Sequence, residues 1–280
     1  MAGACKRFSI LTALVLATLG TAAAADSVMY VEQDYSIVRQ EKEGVEAKDI
    51  RQKLYLTADA VRIDEYAGPS KQPTESYLID FKARQIINLD HEKLNKLTES
   101  FDGRKERIEK RKQKVREDLE ALPEGKQREQ TQRLYRALLD DQRAYKVERP
   151  KDQAEVEVLG VKAEAVRIVD ERDPAYVPLA TWLHPDLEVP YDNAEVLYLL
   201  QIIGPKMAQF LRENKSVFRR LPMKLELDLA AGGTLKTQVV KVESIERRKL
   251  AGDLFQVPEG YKEKKAGAAE TAKTGEVAPD

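Results

Sequence analysis

The chain has 280 residues, 34% of them charged, with 47 basic against 48 acidic side chains, one cysteine and two histidines. The length allows one large domain or two small ones, and the near-neutral balance excludes a global attraction to nucleic acid or to anionic membranes. The cysteine count excludes a disulfide framework, and His91 and His184 lie too far apart for an H-x-x-x-H or H-x-x-E-H zinc pair.

The first element in chain order is a leader. Lys6 and Arg7 form a basic stretch, residues 8–19 an apolar one, and Gly20 to Ala25 a run of small residues, which predicts signal-peptide cleavage after Ala25. Cys5 precedes the apolar stretch, so it is not placed for lipid attachment. Cleavage leaves 45 basic against 48 acidic residues, a formal charge of −3. It also leaves no cysteine and no span long enough to stay in a bilayer. An exported chain of this size without disulfides suits the periplasm or secretion from a bacterium.

Period-two patterning dominates residues 28–89. Ile50, Leu54 and Leu56 share one strand face, with Gln52 interrupting the apolar row. Val61 and Ile63 continue it, Gly68, Pro69 and Pro73 break it, and Tyr77, Ile79 and Phe81 resume it before Ile86, Ile87 and Leu89. This predicts an antiparallel meander with one dry and one wet face.

The period then lengthens. Leu94, Phe101, Ile108, Val115 and Leu122 recur every seven residues, which predicts a long helix from Glu92, split by Asp102 and Gly103. Residues 104–120 carry eight basic and five acidic side chains. The mixed signs read as a solvated helical face rather than a nucleic-acid patch. Pro123 and Gly125 end the segment, and Leu134, Leu138 and Tyr145 mark a second helix, so residues 92–145 are predicted as a charged helical hairpin.

Strand alternation returns at 156–158, 163–169 and 180–184. Asp192 or Asn193 caps a predicted apolar helix carrying Val196, Leu200, Ile203, Met207 and Phe210, bent at Gly204 and Pro205. Leu225, Leu227 and Leu229, then Gly232 and Gly233, then residues 235–245 predict a hairpin. From Lys262 onward no large apolar residue occurs, and a disordered tail is predicted over 262–280.

The ordered set Ser76-Tyr77-Leu78-Ile79-Asp80, Ile86-Ile87-Asn88-Leu89-Asp90, Leu221-Pro222-Met223-Lys224-Leu225-Glu226-Leu227, residues 239–245 and Asp253-Leu254-Phe255-Gln256-Val257-Pro258-Glu259-Gly260-Tyr261-Lys262 resembles an uncharacterised family of secreted bacterial proteins, a domain of unknown function related to the LolA-like lipoprotein carriers. The resemblance implies an α+β fold over residues 27–261, a strongly curved antiparallel β-sheet forming a half-barrel with covering helices. Its concave face would accept acyl chains.

No G-x-S-x-G elbow, Walker loop or G-x-G-x-x-G turn is present, so the enzyme reading has no entry point and no cofactor is expected. His184, between Leu183 and Pro185, reads as a turn residue rather than a proton-transfer group. His91 reads as an N-terminal helix residue, and Asp170, Glu171 and Asp173 lack the ligand alternation of a calcium loop. The candidate cavity lining is Tyr77, Ile79, Phe81, Trp182, Leu200, Ile203, Met207 and Phe210, with no catalytic or metal residue. Two functions stay open on the sequence: a non-enzymatic binding protein for a lipid or acylated protein, or an envelope interaction module whose protein partner contacts the 92–145 hairpin.

Overall fold

The computed structural model describes residues 27–39, 47–150, 155–173, 176–231 and 234–264. The predicted leader and the tail beyond Lys264 lie outside them. One sheet of 13 strands runs through the described residues, antiparallel except at one edge.

The first six strands form the meander that the alternation predicts: β1 (Ser27–Arg39), β2 (Ala47–Leu56), β3 (Ala60–Ala67), β4 (Glu75–Asp80), β5 (Gln85–Asp90) and β6 (Asn95–Ser100). Register lines their side chains up in rows. Ile86, Ile79, Val61, Leu56 and Met29 are successive cross-strand partners, as are Tyr77, Ile63, Leu54 and Val31. The next row on the same face changes character: Glu65, Gln52 and Gln33. Gln52, the interruption in the sequence pattern, sits where the apolar rows end.

The predicted start of the helical hairpin is corrected. Residues 95–100 are strand β6, and the first helix, α1 (Phe101–Ala121), begins at Phe101. The cause is a repeated turn. Asp80 accepts the amide of Ala83 and Asp90 accepts that of Lys93, and each turn closes through a left-handed residue, Arg84 (φ 53°) and Leu94 (φ 50°). Leu94 is therefore an exposed hairpin tip, although it falls on the seven-residue spacing. Asp102 and Gly103 do not split α1. The Ser100 side chain caps it, accepting the Gly103 amide at 3.0 Å. A short α2 (Lys126–Leu134) follows, and Tyr145 belongs to strand β7 (Tyr145–Glu148) rather than to a helix.

Strands β8 (Glu155–Val158), β9 (Val161–Asp170) and β10 (Leu179–Glu188) lead to α3 (Asn193–Leu199), α4 (Pro205–Glu213) and α5 (Lys215–Phe218). Asp192 caps α3, and Pro205 opens α4, so the predicted bent helix is two helices divided at Gly204. The hairpin β11 (Arg220–Ala231) and β12 (Thr234–Lys249) then inserts between β10 and β1, giving the order β6-β5-β4-β3-β2-β1-β12-β11-β10-β9-β7. Lys262 and Glu263 form β13, a parallel strand beside β6. The predicted disordered tail is thus corrected at its start. Glu263 accepts the Thr98 amide at 3.0 Å, which holds the segment to the sheet edge.

The sheet is unclosed and curls. Ile63 of β3 and Leu179 of β10 stand five strands apart in the order, about 24 Å on a flat sheet at ~4.8 Å per strand. They nevertheless line one cavity.

Candidate functional site

That cavity lies between the concave face and the α3–α5 lid. The sheet contributes Val31 and Gln33 of β1, Leu54 and Leu56 of β2, Thr181 and Leu183 of β10, Leu225 and Leu227 of β11 and Val240 of β12. The lid contributes Val196 and Leu197 of α3, Leu211 of α4 and Phe218 of α5, with Leu200 and Ile202 from the α3–α4 connection. Apolar positions repeating every second residue on the strands and every third or fourth on the helices place these side chains inward. The space is about 130 Å³, the volume of roughly four waters in the liquid. Its walls are mostly hydrocarbon.

Gln33, Gln52, Thr181 and Arg220 are the polar side chains on the sheet side. Gln33 Nε2 donates to Gln52 Oε1 and Gln52 Nε2 to Glu65 Oε1, each at 2.7 Å, so the two amides are tied into a row at one end of the cavity. Beyond the lid the cavity adjoins a wider groove of about 600 Å³. The two share Val189, Tyr191, Asn193, Leu211 and Phe218. Arg212, Lys215 and Arg219 stand on the outer rim with Asp192. Burial pushes the Tyr191 hydroxyl up from its ordinary pKa, so it stays a neutral donor at the neck between the two spaces.

Among the sequence candidates, Leu200 lines the cavity. Tyr77 and Ile79 pack further along the same concave face, in the core cluster that contains Val31, Leu56 and Ile63. Phe81 stacks on Tyr191, ring centroids 5.9 Å apart, and so backs the neck. Ile203 and Met207, the latter on α4 of the lid itself, are buried in the second core cluster. Phe210 turns the other way and packs on Tyr145, 5.8 Å between centroids, beside a separate surface hollow of about 400 Å³. Trp182 alternates with Thr181 and Leu183 and does not line the cavity; it is buried in the same core cluster as Ile79, beside Ala165 across the strand and under the Lys224 ammonium at 4.2 Å. Its indole N–H is buried without a hydrogen-bond partner.

The lid is held by the charged hairpin. Asp140, fully buried after α2, accepts the amides of Lys206 and Met207 and caps the N-terminus of α4. Desolvation raises its carboxyl to about 6 against those two bonds. Gly204 permits the approach: a Cβ there would lie 2.1 Å from the Ala137 carbonyl oxygen. Arg104 of α1 donates to the Leu199 carbonyl at 2.9 Å, Lys105 pairs with Glu195 at 2.6 Å, and nearly buried Lys112 pairs with Asp141.

Both histidines are accounted for structurally. His184 Nδ1 accepts the amides of Asp186 and Leu187 within β10. His91 is not at a helix start; it lies in the β5–β6 turn on the convex face. Buried Ser76 donates to Asp64 Oδ1 at 2.5 Å, which spends its proton, so His91 Nε2 donates to Ser76 Oγ at 2.6 Å. Nδ1 is then the acceptor, and Tyr261 donates to it. Arg62 closes the chain, donating to Asp64 at 2.7 Å and to the Leu254 carbonyl at 2.7 Å. Ser76 has no accessible surface, so this Asp–Ser–His array fastens the C-terminal segment and offers no nucleophile. Among the described residues no group of His, Cys, Asp or Glu is placed to hold a metal, and no helix is long and apolar enough to cross a membrane.

No family model and no curated protein matches the chain. Solved structures do. An uncharacterised conserved protein from Thermus thermophilus is 8% identical, with 84% of this chain and 90% of that one covered and a TM-score of 0.39. A LolA superfamily protein from Nitrosomonas europaea is 10% identical over 84% and 91%, with a TM-score of 0.32. A DUF1329 family protein from Desulfovibrio piger is 10% identical over 83% and 91%, with a TM-score of 0.28. The LolA superfamily, to which the sequence motifs bear a resemblance, is thus among the structural neighbours. At these identities and TM-scores the likeness carries no argument about ligand or activity.

Proposed function

We propose that this chain is a non-enzymatic binding protein that holds an apolar or amphiphilic ligand in the concave face of its sheet, acting after export as one domain with residues 1–25 removed. The observation that supports it is the unfilled hydrocarbon space between the curled sheet and the α3–α5 lid. Close-packed interiors leave few voids larger than a water, and an apolar space of this kind binds apolar molecules in preference to water. A lipid or the acyl chain of a lipoprotein is the class of ligand that such walls accept. The apolar stripe of the charged hairpin does not favour the interaction-module reading, because Ile108, Val115 and Leu119 of α1 are buried.

Native mass spectrometry of the protein purified from a bacterial envelope, followed by extraction of the bound material, tests the reading. A stoichiometric lipid supports it. A bare polypeptide mass, with no uptake of short-chain amphiphiles by calorimetry, overturns it.

A further inference from the structure

The concave cavity ends at a neck where hydrogen-bond donors collect without partners. Tyr191 and Asn193 line both the apolar cavity and the outer groove. Neither the Tyr191 hydroxyl nor the Asn193 side-chain amide has a hydrogen-bond partner among the described residues, although both side chains are half-buried. Lys215 on the groove rim has no ion pair among the described residues, in contrast to its neighbours. Arg212 is held by Asp192 at 3.0 Å and also by Glu195, and Arg219 by Glu188 at 3.1 Å. The only acid on the groove wall, Asp192, is therefore already engaged. What remains is a phenol O–H, an amide N–H and an ammonium facing one opening, with hydrocarbon behind them.

We infer that the ligand is a single-chain anionic amphiphile whose tail enters the cavity and whose carboxylate or phosphate sits at the neck, met by Tyr191, Asn193 and Lys215. This deepens the binding reading and rests on it. The chemistry follows from what each end can satisfy. An anionic oxygen accepts from all three donors, and charged acceptors make the stronger bonds. A cationic head would face Lys215 and find no acid free of an arginine. A neutral head would leave the ammonium unmatched. The cavity, about 130 Å³, is close to the size that holds a six-carbon molecule, so it suits a short tail of about six carbons, and the solvent-open groove spares the head full desolvation.

Isothermal titration calorimetry with hexanoate, hexyl phosphate, hexanol and hexyltrimethylammonium tests this on the intact chain and on Lys215→Glu, a substitution at an exposed position. Hexanoate or hexyl phosphate is expected to bind roughly tenfold more tightly than hexanol, the yield of one charge-assisted contact near solvent. The better of the two anions identifies a fatty acid or a phospholipid head as the source. Lys215→Glu is expected to remove that preference. Hexanol binding as well as the anions, or a preference that survives Lys215→Glu, overturns the anionic head and leaves the apolar cavity reading intact. Failure of all four ligands overturns both.

Discussion

The two faces of the β1–β6 half of the sheet solve opposite problems. On the convex face, Arg62, Asp64, Ser76, His91 and Tyr261 form a chain in which each donor meets an acceptor, and the C-terminal segment closes over it. On the concave face, two apolar rows give way to Gln33 and Gln52, and space is left under the lid. A satisfied polar network fixes one arrangement, whereas an unfilled apolar one leaves room for another molecule. The same strands carry both, because period two sends neighbouring residues to opposite sides.

The comparison breaks most strongly at Asp64. Asp64→Ala removes the acceptor of both Arg62 and Ser76, and stability in urea is expected to drop by about 3–5 kcal/mol, the cost of stranding a buried partner. Acidification separates two other groups. Asp140 ionises near 6 in the folded protein, above its ordinary 3.8. The folded state therefore binds that proton more readily than the unfolded chain, and the Asp140 contribution rises as pH falls from about 6 toward 4. Asp140→Asn is expected to flatten that part of the profile. His91 works in the other direction, because burial lowers its pKa below 6.5 and stability from that site is lost as pH falls through 6.5. His91→Gln, followed by chemical unfolding between pH 7 and 5, should remove the loss.

Smaller still, Tyr261→Phe deletes one hydrogen bond at the strap, an expected cost of about 1 kcal/mol. Amide exchange of residues 254–264 should quicken more than that of β3 and β4. On the concave face the effect falls on binding more than on stability. Leu54→Phe adds volume where space exists, so unfolding should shift by less than about 1.5 kcal/mol while ligand uptake by calorimetry falls away. A large destabilisation at that position would mean that the cavity is not available space.

Much of this was legible in the chain. The meander followed from alternation at Leu54, Leu56, Val61, Ile63, Tyr77 and Ile79, and the capped α3 from Asp192. The α1 start was not, because Leu94 keeps the seven-residue spacing while the Asp90 turn commits it to a left-handed hairpin tip. The inward side of β10 was not legible either. Trp182 is the largest residue there, but parity with its neighbours turns it away from the cavity and brings Thr181 in. Gln52 gave a signal, a polar break in an apolar row. Tyr191, Asn193 and Lys215 gave none, since only the packing of α3 on α4 and of α4 on α5 brings them to one opening. The strap depends on Tyr261 reaching a turn 170 residues away, a pairing beyond any local pattern.

The two parallel rungs of Lys262 and Glu263 on β6 carry a consequence for solution behaviour. An open sheet ends in a row of unpaired amides and carbonyls, a template for another chain. The short strap caps part of that row with charged residues, Lys96 against Glu263 at 3.4 Å. Loss of the anchor at His91 would therefore do more than loosen a terminus: it would uncover a strand edge and turn a monomer problem into an aggregation problem.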